Sequence, residues 1–211
     1  MLGQNWSLPA TRRKLAVPTD VRDAAALDDL VNAAVQRFGA IDVLLCNAGI
    51  SGPVGSMGEA TVDAIEQLLA VNLRHPLHLA TRIAPLMAAN GRGSIILTSS
   101  IAALRGNAKL GIYGLSKAAL AQLARNLAVE WGSANVRANA IAPGLIRTSW
   151  ADAILSSAEA SGKRLAQTPL GRIGEPWEIA ALALFLAGPG GGFITGQTIV
   201  ADGGTIISDR S

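Results

Sequence analysis

This sequence predicts an α/β fold, a parallel sheet with helices on both faces, and three observations carry the prediction. Short apolar runs of strand character alternate with stretches of helical period along the whole chain, and such alternation builds parallel sheets. Of 211 residues 50% are hydrophobic, 16% are charged and 23 are glycine. That profile suits tight strand-to-helix turns better than a disordered chain. No linker, repeat or charged tail divides the chain. Residues 15–211 are therefore expected to form a single domain, preceded by an irregular segment over residues 1–14.

The elements follow in order. Leu15-Ala-Val-Pro18 is a short strand-like run ending near Asp20. Beyond Asp23, apolar residues recur at Leu27, Leu30, Val31, Ala34, Val35 and Phe38, a helical spacing that Gly39 stops. Ile41 to Cys46 reads as a buried strand, apolar on both faces. A glycine-containing loop leads to helical stretches near 60–72 and 75–89. Ser94 to Thr98 is the next strand, and a long helix runs from Tyr113 to Trp131, ended by Gly132. Val136 to Ala142 is a strand halted by Pro143-Gly144. Helices near 151–165 and 176–187 precede a last strand, Thr198 to Ala201, which closes on Asp202-Gly203-Gly204.

Several function classes are excluded. The net charge is only +3 and the basic residues are scattered. No basic stripe is interleaved with aromatics, so a nucleic-acid partner is not expected. One cysteine cannot form an intrachain disulfide, which suits a reducing compartment. The longest strongly apolar stretch, Ile179 to Ala187, is too short to span a bilayer. The start lacks a basic region followed by an apolar one. A soluble, cytoplasmic protein without a membrane partner is expected.

The most informative chemistry is Ser100 followed by Tyr113-Gly-Leu-Ser-Lys117. A tyrosine and a lysine four apart on a helix share one face. A free phenol titrates near ~10, too high for a base at neutral pH. A neighbouring ammonium favours the phenolate, and reaching ~7 takes roughly 4 kcal/mol of differential interaction. Ser100 sits just past the carboxyl end of a buried strand, where open α/β sheets bind ligands. Its hydroxyl can hydrogen-bond a substrate oxygen as charge develops there. Tyr-x-x-x-Lys alone says little, because an exposed helical pair explains it in most proteins. Four further features add weight: Cys46-Asn-Ala-Gly49 after a buried strand, Asn72 ending a helical segment, Ser100 lying 13 positions before Tyr113, and Pro143-Gly-Leu-Ile-Arg-Thr148 after another strand.

With these motifs in order, the chain from Leu15 to Gly204 resembles the short-chain dehydrogenase/reductase family. The resemblance implies a Rossmann-like, doubly wound parallel sheet. It also implies reversible hydride transfer between NAD or NADP and a carbonyl or secondary alcohol. Tyr113 would be the general acid/base, and Lys117 would lower its pKa and hold the nicotinamide ribose. Ser100 would orient the substrate oxygen, and Asn72 would anchor a water in a proton relay with Lys117. Asp20 and Val21 would contact the adenine, and Asn47, Ala48 and Gly49 would line the cofactor cleft. Pro143, Gly144 and Thr148 would embrace the nicotinamide end, with Ile146 meeting the carboxamide through its backbone. A homodimer or homotetramer is implied, built on the Tyr113–Trp131 helix and its neighbour near 75–89.

Other tempting residues have plainer explanations. His75 and His78 lack a cysteine or aspartate at ligand spacing, so no metal is expected. Cys46 is expected to be a small buried residue. Ser99 and Ser100 lack the G-x-S-x-G elbow of a hydrolase. Gly188-Pro-Gly-Gly-Gly192 is a loop before the last strand. Trp150 and Trp177, with the helices between them, are expected to form a lid over the substrate.

One departure from the family stands out. Its opening strand, glycine-rich turn, helix and second strand have no counterpart here: the early glycines are Gly3 and Gly39. The sheet is thus expected to lack its first βαβ unit, and with it the amide donors that face the pyrophosphate. The residue that selects NAD or NADP goes too, and Arg12 and Arg13 lie too close to the next strand to replace it. Leu15 to Pro18 should then be unpaired or drawn across to Ile41, leaving an apolar edge. Poor solubility and weak cofactor binding are expected. The alternative reading is a catalytically inactive relic that retains only the oligomerisation surface.

Overall fold

The computed structural model describes residues 14–152, 156 and 158–209. The irregular segment expected at the N-terminus, apart from Lys14, lies outside the described residues, as does part of the helix expected near 151–165.

Four parallel strands form one sheet in the order β1 (Val43–Cys46), β2 (Gly93–Thr98), β3 (Val136–Pro143), β4 (Thr198–Ala201). The register aligns Val43 with Ser94, Ile95 with Ala138 and Ile141 with Ile199. One face is covered by α1 (Ala24–Phe38), α3 (His75–Ala89) and α4 (Gly111–Trp131). Their buried residues, among them Leu27, Ile83, Met87, Leu120 and Leu127, pack on Leu44, Ile95, Leu97 and Ala138. On the other face Ile96 and Ile141 meet Leu186 and Ile179 of the last helix (Pro176–Ala187). β2 is therefore buried on both sides, which is why its sequence is a continuous apolar run.

The helix ends follow local chemistry. Asp23 caps α1 by accepting from the backbone of Ala25 (2.9 Å) and Ala26 (3.4 Å). Gly39 ends it with φ of 86°, a left-handed conformation that glycine adopts without a Cβ penalty. Thr61 caps α2 (Val62–Leu69).

Three expectations need correction. Leu15 to Pro18 forms no strand. Pro18 has no N–H to give a ladder, and no described strand lies on that side of the sheet. Of the two outcomes foreseen for this run, it takes the unpaired one. Second, β1 starts at Val43 and is buried on one face only: Val43 and Leu45 are 43% and 50% exposed, because the last helix lies over β2 and β3. Third, Asn72 does not end a helix. It lies within a π-helical turn, Ala70–Arg74, that joins α2 to α3.

Candidate active site

At the carboxyl ends of β2 and β3 the chain gathers its polar side chains. β2 stops at Thr98, and Ser99 and Ser100 follow. Ser99 Oγ donates to the Lys117 carbonyl (2.8 Å), and Lys117 Nζ donates to the Thr98 carbonyl (2.8 Å). Strand end and helix α4 are thus stitched together twice. Ser100 accepts from Ala102 N–H (3.1 Å) and so caps the short turn Ile101–Ala103. That turn rests directly on α4, because Gly114 has no side chain: a Cβ there would lie 2.8 Å from the Ala102 carbonyl oxygen.

Tyr113 and Lys117 are both buried, a helical turn apart, with Lys117 Nζ 5.7 Å from the Tyr113 ring centroid. Trp150 meets the same ring edge-on, at a centroid distance of 5.2 Å and an interplanar angle of 66°. Burial pushes the Tyr113 phenol up to about 12, and a hydrogen bond with Ser100 partly offsets this. Burial pushes the Lys117 ammonium down to about 8. Both shifts are what desolvation of the charged form dictates.

Asn72 ties the neighbouring wall together. Its Oδ1 accepts from Ile50 N–H (2.9 Å), while its amide donates to the Ile50 carbonyl (2.8 Å) and to Ser116 Oγ (3.1 Å). Ser116 in turn donates to the Tyr113 carbonyl (2.8 Å). The π-turn rotates Asn72 inward to make these bonds, and such turns recur at functional sites. Gly49 borders the same space: a Cβ there would come within 3.3 Å of Lys117 Nζ and 3.4 Å of Asn72 Oδ1.

The remaining expected residues divide into two groups. Asn47, Ala48 and Gly49 are exposed at the end of β1, with Asn47 Oδ1 accepting from Thr98 Oγ1 (3.1 Å). Pro143 ends β3, and Gly144 N–H donates to Ala201 (3.0 Å). Ile146 pairs with Gly174 in an isolated bridge, fixed by Arg147 N–H to Gly174 (2.8 Å) and Gly174 N–H to Leu145 (3.0 Å). Thr148 lies just before Trp150. Asp20 and Val21 stand apart from the cluster, before α1. The Asp20 carboxyl accepts from Arg22 (2.7 Å), whose guanidinium holds it down to about 2, and Val21 packs on the core.

His75 Nδ1 faces the Val71 carbonyl, and His78 Nε2 lies 3.1 Å from Asp28. Cys46 is buried, its thiol pushed up to about 12. Sequence reasoning missed Ser116, Ser99 and the Thr98 carbonyl. Ser116 had a legible signal, lying between Tyr113 and Lys117 on the same helix. A carbonyl acceptor has none.

A family model described as enoyl-(acyl carrier protein) reductase matches residues 7–205. A tropinone reductase homolog of Arabidopsis thaliana is 38% identical over 201 residues, covering 93% of this chain and 76% of its own length. A gluconate 5-dehydrogenase of Burkholderia cenocepacia, in complex with NADP and tartrate, is 31% identical with a TM-score of 0.85. The match covers 90% of this chain and 74% of that one. A 7α-hydroxysteroid dehydrogenase complexed with NADH and 7-oxo glycochenodeoxycholic acid is 33% identical with a TM-score of 0.84, covering 92% and 73%. The chain belongs to the short-chain dehydrogenase/reductase family. It spans 76% of the length of that tropinone reductase homolog and 62% of a second one from the same plant.

Proposed function

We propose that this chain is an NAD(P)-dependent oxidoreductase acting on a carbonyl or secondary alcohol, with Tyr113 as general acid/base. The observation that carries the reading is the meeting of Ser100, Tyr113 and Lys117 beyond β2, with Ser100 opposing the upward push of burial on the Tyr113 phenol and Lys117 anchored to Thr98.

The residues present fit the nicotinamide, its ribose and the adenine of a dinucleotide. Lys117 is 4% exposed and carries three donor hydrogens. Among the described residues only the Thr98 carbonyl accepts one, so two remain for ribose hydroxyls. Gly49 leaves the space beside it open. Asn47 and Ala48 would line the cofactor cleft, Pro143, Gly144 and Thr148 would embrace the nicotinamide end, and the backbone of Ile146, bridged to Gly174, would meet the carboxamide. Asp20 and Val21 would serve the adenine, with Arg22 the group to be displaced from Asp20. The NADP and NADH complexes of the two solved neighbours support a cofactor of this class. When bound, it supplies hydride transfer to or from the substrate carbon.

The protein's own part is proton transfer and orientation. With its phenol held near 12, Tyr113 is protonated at neutral pH and can deliver that proton to a substrate oxygen while Ser100 donates to the same atom. Carbonyl reduction is thus the direction the site is charged for. Alcohol oxidation needs the phenolate, which Lys117 and a cationic nicotinamide must favour against burial. The opening bordered by Gly49, Lys117 Nζ and Asn72 Oδ1 has the polar lining a relay water requires.

Tyr113→Phe keeps the ring and removes the proton. It should abolish NAD(P)-dependent reduction of a ketone while leaving the circular dichroism and melting curve intact. Retention of a tenth of the parent activity would reject the role. No turnover by the parent chain with either cofactor would favour the inactive relic.

A further inference from the structure

A chain of hydrogen bonds fixes which way the Asn72 amide points. Asn72 and Ser116 are both 0% exposed. Ser116 lies between Tyr113 and Lys117 on α4, and Asn72 lies in the π-helical turn Ala70–Arg74. The Ser116 hydroxyl has one hydrogen, and it goes to the Tyr113 carbonyl (2.8 Å), which can only accept. Towards Asn72 the same hydroxyl can then only accept, so the NH2 end of the amide must face it, at 3.1 Å. Ile50 imposes the same orientation from the other side. Its N–H donates to Oδ1 (2.9 Å), and its carbonyl accepts from Nδ2 (2.8 Å). Both amide hydrogens thereby have acceptors.

Oδ1 keeps a second lone pair, and this oxygen borders the space at Gly49. A Cβ on Gly49 would lie 3.4 Å from Oδ1 and 3.3 Å from Lys117 Nζ. An acceptor and a cation thus line one opening, which suits a water or hydroxyl that accepts from Nζ and donates to Oδ1. With the amide turned over, an N–H would face the ammonium, and the opening would present donors from both sides. Ile50 holds the amide from a loop, where backbone is more mobile. Ser116 holds it from inside a 21-residue helix, the same helix that carries Tyr113 and Lys117.

We propose that Ser116 is a positioning residue that locks the Asn72 amide with its oxygen towards Lys117. The orientation stands on the hydrogen bonds alone, and its value to turnover rests on the dehydrogenase reading above.

The whole chain, with 15N-labelled asparagine, reports the lock by nuclear magnetic resonance without turnover. The Asn72 side-chain signals are identified by their loss in Asn72→Ala. Ser116→Ala removes one acceptor and should speed hydrogen exchange of the Asn72 amide at least about tenfold. The backbone amide of Asn126, also on α4, should keep the parent's rate, whereas a general loosening of the helix would speed both. Ser116→Cys keeps the size, offers only a weak acceptor, and should act in the same direction if Ser116→Ala does not fold. Ser116→Thr should restore protection, since a helical threonine can bond the carbonyl three residues back. With cyclohexanone and NADPH or NADH, Ser116→Ala should lower kcat about tenfold and leave KM within about twofold. In an Asn72→Ala background it should lower kcat no further. Exchange at Asn72 unmoved by Ser116→Ala and Ser116→Cys, or Asn126 speeding in step with it, overturns the lock. A kcat loss as large in the Asn72→Ala background as in the parent overturns the positioning role. If Tyr113→Phe abolishes turnover while exchange at Asn72 is unmoved, the dehydrogenase reading stands and the lock falls. If Ser116→Ala speeds exchange at Asn72 while turnover survives Tyr113→Phe, the reverse holds.

Discussion

Gly114→Ala should loosen the candidate active site while leaving the helix that carries it intact. In an ordinary helix interior this exchange stabilises by up to ~1 kcal/mol, because alanine loses less backbone freedom. Here the new Cβ would lie 2.8 Å from the Ala102 carbonyl oxygen, and ordinary contact begins at 3.4 Å. The obstacle is backbone in a turn capped by Ser100, so no side chain can swing away, and a shift of roughly 0.5 Å passes directly to Ser100. Overpacking of this kind costs about 1–3 kcal/mol. Set against the helical gain, the net loss is about 1 kcal/mol, a fall of about 2–4 °C in melting temperature for a chain of this size. The functional effect should be larger than the stability effect, since a misplacement of about 1 Å costs on the order of 100-fold in rate. We expect about tenfold. Tyr113 is the only tyrosine in the chain, so phenolate absorbance reports it alone. Weakening its bond to Ser100 should move its titration above the parent's value of about 12. A Gly114→Ala protein that melts higher than the parent, with Tyr113 titrating unchanged, would refute the reasoning.

Lys117 makes stability depend on pH with a defined sign. Its ammonium is held at about 8 against an ordinary 10.5, so between those values the unfolded chain binds more protons and stability rises with pH. Comparison with Lys117→Met isolates the effect from Cys46 and Tyr113, which oppose it above about pH 9 and 10; the parent should gain on the order of 3 kcal/mol relative to the variant across this window, and a flat difference would remove the assignment. Cys46, buried with its thiol near 12, should resist alkylation at neutral pH until the chain unfolds, as measured by mass spectrometry. The outer face of α4 exposes Leu115 (63%) and Val129 (87%); light scattering should find a dimer or tetramer that Val129→Glu weakens, and a monomer at micromolar concentration would count against a subunit contact there.

The parts of the fold legible in the sequence were those set by period and by breakers. α1 announced itself through Asp23, a helical apolar spacing and Gly39, and β2 through an unbroken apolar run, because burial leaves a pattern in the residues themselves. β1 was read as too long and too buried, since an apolar strand looks the same whether or not a helix covers its second face. Leu15 to Pro18 had strand composition without a neighbour, and a strand is stable only through the ladder it joins. Of the candidate site, the side chains were legible and their supports were not. Tyr113 and Lys117 follow from a spacing of four on a helix, but the acceptor that fixes Lys117 is the backbone of Thr98, which no side-chain identity encodes. The inward turn of Asn72 depends on one extra residue in a helical turn, and no residue type marks it. The spare hydrogens of Lys117 explain why that acceptor matters. A second acceptor beside Nζ would leave one fewer hydrogen for a ribose, whereas no acceptor would let a buried ammonium drift toward neutrality. One backbone carbonyl keeps the ammonium in place and still leaves it two hydrogens to offer a ligand.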